Sequence, residues 1–243
     1  MRFIMHDWRE AASPNMAGDM TASDSEAKSR AGRPTRDQAA ARQLELLDTA
    51  LDMFLDKGFE QTTMEGVAAA VGMTKRTIYA RYDDKAALFL ATVQRAIERS
   101  IVPEEELRAL DTGDLSETLI AIARMRVAFV TTPAGLKLQR IINTESYRFP
   151  AIFTLSYDQS ARPVVEFLAD LLRRHDSAGA VGIDRPEMAA RLFMSMVVGG
   201  PVRIIVSGNT LSPEEIDDRI TYAVRLFLNG VRPRPDATME SRE

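Results

Sequence analysis

Residues 62–89 read TTMEGVAAAVGMTKRTIYARYDDKAALF, and their punctuation decides the fold. Thr63 suits the N-cap of a short helix because its hydroxyl accepts from a free backbone N–H of the first turn. Val67, Ala68 and Val71 make that helix's inner face. Gly66 within it costs about 1 kcal/mol against alanine, so packing must hold the helix. Gly72 makes a tight turn, Thr74 caps a third helix expected over 75–82, and Asp83 and Asp84 cap a fourth over 85–99. Leu88, Phe89, Val93 and Ile97 form the apolar stripe of the fourth. Two short helices joined by a glycine turn, behind a longer helix, make a helix-turn-helix unit.

The longer helix is expected over 36–57. Leu44, Leu47, Leu51, Phe54 and Leu55 recur at three and four residues and form one stripe, while Asp48, Asp52 and Asp56 lie on another side facing water. Gly58 ends the helix, since glycine enters the left-handed region at little cost. Beyond residue 110 further helices are expected over 115–131, 133–146, 150–174 with an interruption near Pro163, 186–206 and 213–229. Pro133, Pro150, Pro186 and Pro213 stand where proline suits a first turn. No alternating run of β-branched and aromatic residues appears, so the fold class is all-α. The expected organisation is a disordered tail over 1–31, a helix-turn-helix domain over 32–85, a larger helical domain over 86–230 and a tail over 231–243.

Composition removes several function classes. The chain has 243 residues, no cysteine and two histidines, His6 and His175. Neither a thiolate metal site nor a His-based catalytic constellation is available from that set, and no Gly-rich phosphate loop occurs. No metal or other cofactor is expected. No apolar run is read as long enough to span a bilayer, and the first thirty residues carry Asp7, Glu10, Asp19, Asp24 and Glu26, unlike a signal peptide. A start at Met16 or Met20 is an alternative beginning. The expected location is the cytoplasm, without a membrane partner.

The net charge of −4 is unevenly spread. Residues 28–95 hold eleven basic and nine acidic side chains, against two and five in 1–27 and eighteen and twenty-one in 96–243. On a helical wheel Lys75, Arg76, Tyr79 and Ala80 share one arc, Thr77 and Arg81 flank it, and Ile78 and Tyr82 stack on an adjacent side. Such an arc fits a major groove. Arg pairs with guanine, Ala touches a thymine methyl, and Tyr and Thr hydroxyls bond phosphates. A solvated basic face is the alternative reading of the same charges.

The stretch from Gly32 to Ala91 resembles the N-terminal domain of the TetR/AcrR family of bacterial transcriptional repressors. The resemblance is carried by Gly58-Phe59, Thr62-Thr63, Val67-Ala68, Gly72-Met73-Thr74, Thr77-Ile78-Tyr79, and Tyr82 to Lys85 followed by Leu88. Val67 stands where Ile is usual, Gly66 where a polar residue is usual, and Arg81-Tyr82 where His-Phe is frequent. The resemblance implies that Lys75, Arg76, Tyr79 and Ala80 read bases. It implies that Thr63, Thr77, Tyr79, Arg81 and Lys85 hold phosphates, and that Arg33 reaches a minor groove. The implied partners are a double-stranded DNA operator, a second copy of the chain and an unidentified small-molecule effector.

The second half carries no comparable motif. Residues 188–200, MAARLFMSMVVGG, are apolar nearly all round and must be covered on more than one side. The last helix places Ile216, Ile220, Ala223, Val224 and Phe227 in one stripe. As the family implies, Met196, Ile216, Ile220, Val224 and Phe227 are expected at a homodimer interface; the alternative is internal core. The region 145–157, ESYRFPAIFTLSY, is similar to the C-terminal region of AefR-like members. Met125, Arg126, Phe129, Tyr147, Phe153, Tyr157 and Met194 are candidate walls of a largely apolar ligand pocket, with Arg126, Arg140 and Glu145 as polar handles. The function this supports is a DNA-binding repressor released from a palindromic operator by ligand, not an enzyme. A helical ligand-binding or protein-interaction module without DNA binding is the alternative.

Overall fold

The structure is a computed structural model and describes residues 35–232. No strand occurs among the described residues. The expected helices are present, and α5 is added between the fourth helix and residue 115: α1 Arg36–Gln61, α2 Met64–Ala70, α3 Lys75–Tyr79, α4 Lys85–Glu98, α5 Glu104–Ala109, α6 Leu115–Val130, α7 Pro133–Glu145, α8 Ala151–Ser156, α9 Arg162–Ser177, α10 Pro186–Met194, α11 Gly200–Val206 and α12 Pro213–Gly230. Among the described residues, 35–39 fall in a unit separate from 40–232. The first unit is the start of α1, where Thr35 and Gln38 exchange side-chain-to-backbone hydrogen bonds of 3.2 and 3.0 Å.

Capping residues start the helices where the sequence places them. Thr63, Thr74 and Asp84 accept from Gly66, Thr77 and Ala87 amides. Ser212 and Glu215 form a reciprocal capping box at α12. α1 runs past its expected end: the backbone leaves helical geometry at Gly58 (φ 81°, ψ 166°), then adds Phe59 to Gln61. α3 is shorter than expected because its chain tightens at Ala80 and Arg81, whose amide bonds the Ile78 carbonyl three residues back at 2.9 Å.

Two buried clusters organise the fold. The first joins Leu46, Ala50, Phe54 and Phe59 of α1 to Val67 and Ala68 of α2, Ile78 of α3, and Leu88, Phe89, Val93 and Ile97 of α4. Leu138 and Ile141 of α7 and Ile152 of α8 complete it, so this core runs through the boundary expected at residue 85. The inward stripe of α1 is rotated from the expected one: Leu46 and Ala50 are fully buried and Leu44 is exposed. Nor do the aspartates only face water. Asp48 takes paired hydrogen bonds of 2.9–3.1 Å from Arg95 and Arg99, and Asp52 pairs with Lys137. Partial burial pushes the Asp48 carboxyl up, but the two guanidinium groups outweigh it and hold it below its ordinary value.

The second cluster packs α5, α6, α9, α10 and α12 together through Leu107, Leu119, Ile122, Val127, Leu168, Leu172, Phe193 and Val224. Two π turns, Tyr157–Ala161 and Ser195–Gly199, interrupt the long expected helices. Each lies just ahead of a proline, Pro163 or Pro201. A proline ring clashes with the carbonyl four residues back, here Gln159 or Val197, and a widened turn absorbs the clash. The expectation that no apolar run is long enough to span a bilayer needs correction. Pro186–Val206 has 21 residues, and an 18-residue window within it has a mean hydropathy of 1.5, enough by length and composition. One side of it, with Ala190, Phe193, Val197 and Val202, is buried in the protein; Met188, Leu192 and Val206 are exposed.

α6 and α7 meet at an 81° bend. Thr132 caps α7 by accepting from the Gly135 amide, with Pro133 in the first turn. A Cβ on Gly135 would stand 2.5 Å from the Phe129 carbonyl oxygen and 2.7 Å from that of Val130. Those atoms are backbone and have no room to give. Gly135→Ala is therefore expected to lower unfolding free energy by about 1–3 kcal/mol, measured by urea denaturation. A stability equal to wild type would show that the bend is not held this closely.

Candidate nucleic-acid interface

α3 is pinned from below by Ile78, which is completely buried, while Lys75, Arg76, Thr77, Tyr79 and Ala80 are exposed on its outer side. Lys75 pairs with Glu65 of α2 and lies 5.5 Å from the Tyr79 ring centroid. Glu65 raises the Lys75 pKa, chiefly through their hydrogen bond. Both partners are more than half exposed, so the pair is weak and exchangeable for another anion. No carboxylate pairs with Arg76 among the described residues. Thr77 shares a 2.8 Å hydroxyl contact with Thr74. Thr63 is exposed, with its hydroxyl 3.0 Å from the Gly66 amide it caps.

Arg81 and Tyr82 are held from α1. Gln43 accepts from the Arg81 guanidinium and donates to the Tyr82 hydroxyl. Burial pushes the Tyr82 hydroxyl pKa up, against the pull of Gln43 and Arg81. Gln43 is a buttress that the sequence did not reveal, because it lies 38 residues from Arg81 and belongs to no local pattern. Arg33 lies outside the described residues.

Lys85 is placed differently from a free phosphate clamp. Its ammonium donates to the carbonyls of Phe59 at 2.7 Å and Glu60 at 3.0 Å and sits 4.5 Å from the Phe59 ring centroid. It closes the carbonyl end of α1, where a cation also meets the helix dipole favourably. Thr62, fully buried, serves the same end, with its hydroxyl 2.9 Å from the Gly58 carbonyl oxygen and 3.1 Å from that of Met53. From the α7–α8 connection Arg148 stacks on Phe59 at 4.4 Å and pairs with Glu60. Phe149 beside it meets Phe59 and Phe89 at centroid distances of 5.1 and 5.3 Å.

The candidate ligand residues do not converge on one cavity. Tyr147 is fully exposed and Phe153 mostly so, stacked on Tyr157 at 6.4 Å; neither is an enclosed wall, because the α7–α8 turn points them outward. Met125 and Met194 pack against the larger core. Arg140 is exposed and Glu145 half-buried, so Arg140 is no buried polar handle. Phe129 lines a cleft of about 380 Å³ between α1, α4 and α7, which the other six candidates do not line. Arg126 is buried, with Nε and Nη1 unpartnered; the Tyr157 hydroxyl is likewise buried without a partner.

The interface stripe on α12 also needs correction. Ile220 and Val224 are buried within the same chain, and Phe227 packs on Phe193 at 5.1 Å. Ile216 and Met196 are partly buried against that core. The stripe period was right, but it faces α6 and α10, and a different side of α12 is left open.

Residues 46–92 match the bacterial regulatory proteins of the tetR family. Residues 117–230 match the C-terminal domain of AefR-like transcriptional repressors. The chain belongs to the TetR family of bacterial transcriptional regulators. It is 25% identical to the HTH-type transcriptional repressor Rv1474c of Mycobacterium tuberculosis over 82% of this chain and 97% of that one. It is 30% identical to the flavonoid-responsive regulator FrrA, covering 81% of this chain and all of that structure, with a TM-score of 0.63. A TetR-family regulator structure from Mesorhizobium loti shares the fold at TM-score 0.65 and 22% identity, over 81% and 99% of the two chains. Membership makes this chain a DNA-binding transcriptional regulator rather than an enzyme.

The Lys85 geometry gives a direct expectation for this family member. Lys85→Met keeps the stem over Phe59 and removes the donor to two carbonyls. It should lower unfolding free energy by about 1–2 kcal/mol in a thermal or urea melt. Unchanged stability would return Lys85 to the role of a surface cation.

Proposed function

We propose that the chain is a repressor that binds a palindromic operator as a homodimer and is released by a small, largely apolar effector. The observation that carries the reading is α3: a helix held by buried Ile78 presents Lys75, Arg76, Tyr79 and Ala80 outward, with Arg76 free of any carboxylate among the described residues. Arg76 and Lys75 address base edges, with Ala80 and Tyr79 beside them. Thr63, Thr77 and Arg81 face the phosphates, and Arg33 the minor groove. Lys85 retains one free N–H for a phosphate while it caps α1.

An apolar side that one chain leaves uncovered supports the homodimer. Leu192 on α10 is 61% exposed, and Tyr222 and Leu226 on α12 are 56% and 53% exposed. Covering this side in a second copy puts two α3 helices on successive half-sites about 34–36 Å apart. For the effector, the cleft beside Phe129 is bounded by α1 and α4 on one side and by α7 on the other. A ligand there spreads α7 from the DNA-binding helices and biases the spacing of the two α3 helices. The 30% identity to a flavonoid-responsive regulator supports an effector with an aromatic body.

Arg76→Ala is expected to cost about 1–3 kcal/mol on the chain's own promoter fragment and to flatten base preference, read by fluorescence anisotropy on a set of single-base variants. A wild-type chain that fails to bind that promoter at low salt would favour a module without DNA binding. Retained preference in Arg76→Ala would remove Arg76 from base reading.

A further inference from the structure

Arg126 lies in the middle of α6 and only 6% of its surface is exposed. Nε and Nη1 have no hydrogen-bond partner, and no carboxylate pairs with the side chain among the described residues. A buried guanidinium stays charged, and a buried charge without a counter-charge is strongly unfavourable. Burial alone pushes its pKa below the ordinary value. The guanidinium lies 6.0 Å from the ring centroid of Phe129. That half-buried ring lines the cleft of about 380 Å³ between α1, α4 and α7. The cleft's own cations are already matched, Arg99 with Asp48 and Lys137 with Asp52. Arg126 is therefore a buried, uncompensated cation beside a ring that lines the cleft.

We propose that Arg126 is the anion receptor of the effector site, and that the effector is a weak organic acid: a carboxylate on an aromatic body. The body fills the cleft against Phe129. The ring turns aside, and the carboxylate reaches Nε and Nη1 as a two-point hydrogen-bonded pair. This rests on the reading of the chain as an effector-released repressor and adds the effector's charge and its receptor. It also gives the unpartnered guanidinium a reason: the ligand-free protein keeps one strong donor set unsatisfied, so the correct ligand is distinguished from its neutral analogue.

The test uses the full chain with three probes, benzoate, salicylate and 2-naphthoate, each set beside its primary amide. Thermal melting and promoter binding are both recorded. At least one carboxylate should raise the wild-type melting temperature in a saturable way and release DNA, with its amide weaker by about tenfold or more. Arg126→Met should melt no lower than wild type without ligand and should treat carboxylate and amide alike. Arg126→Lys should keep a carboxylate preference at reduced affinity. The proposal is overturned if no carboxylate stabilises the wild type, or if Arg126→Met keeps the preference. It is equally overturned if Arg126→Met fails to fold or melts well below wild type, since the guanidinium would then be satisfied in the free protein. Release of DNA by amides and carboxylates alike would leave the effector-released repressor standing and remove Arg126 from its site. A wild type that never binds its promoter would remove the repressor reading itself.

Discussion

Phe59 is the contact on which the rest of the molecule depends. Its ring meets Phe54, Phe89 and Phe149 at 5.8, 5.4 and 5.1 Å, and two cations, Lys85 and Arg148, sit against it. Phe54 and Phe59 belong to α1, Phe89 to α4, and Arg148 and Phe149 to the connection between α7 and α8. Close-packed aromatic rings resist independent movement, and each cation adds attraction to the ring face. Displacing the α7–α8 connection therefore loads α1 and α4 directly. Lys85 opens α4 and follows α3 by only a few residues, so a shift at Phe59 would be carried to α3, the helix proposed to face DNA. The ion pairs Asp52–Lys137 and Glu60–Arg148 tie α1 to the same region at two further points.

The apolar character of Pro186–Val206 has a second consequence for the assembly. A helix whose length and hydropathy would suit a bilayer is buried on one side only in the single chain. In the proposed homodimer its open side, together with exposed Tyr222 and Leu226 on α12, would be covered by a second copy. Arg191 and Arg203 on the same rod would serve as polar rim for such a contact and would be costly at the centre of a membrane.

Local punctuation made most of the fold legible. Thr63, Thr74 and Asp84 act on neighbours three residues away, and the prolines at first turns depend on one residue's geometry, so both can be read without tertiary knowledge. Ile78 as the buried anchor of α3 followed from the wheel. What was hidden depends on distant partners. The cap that Lys85 makes on α1 has no local signal, because the Phe59 and Glu60 carbonyls that accept its N–H groups lie 26 and 25 residues away. The α12 stripe was periodic as expected, but a period cannot say whether Ile220 and Val224 face α6 or a second subunit. Tyr147 sits in an aromatic-rich segment and is nevertheless fully exposed, because the turn before α8 directs Phe149 inward in its place. Leu44 and Leu46 lie two positions apart, and only the packing of α4 and α7 decided which of them entered the core.

The central claim is that two copies of this chain each place one α3 helix on DNA. A hydroxyl-radical footprint of the full chain on its own promoter tests it most directly. The account predicts two equivalent protected patches related by a two-fold axis, with centres one helical turn of about 34–36 Å apart or a multiple of it. A single protected patch, or protection spread evenly along the fragment, would contradict it.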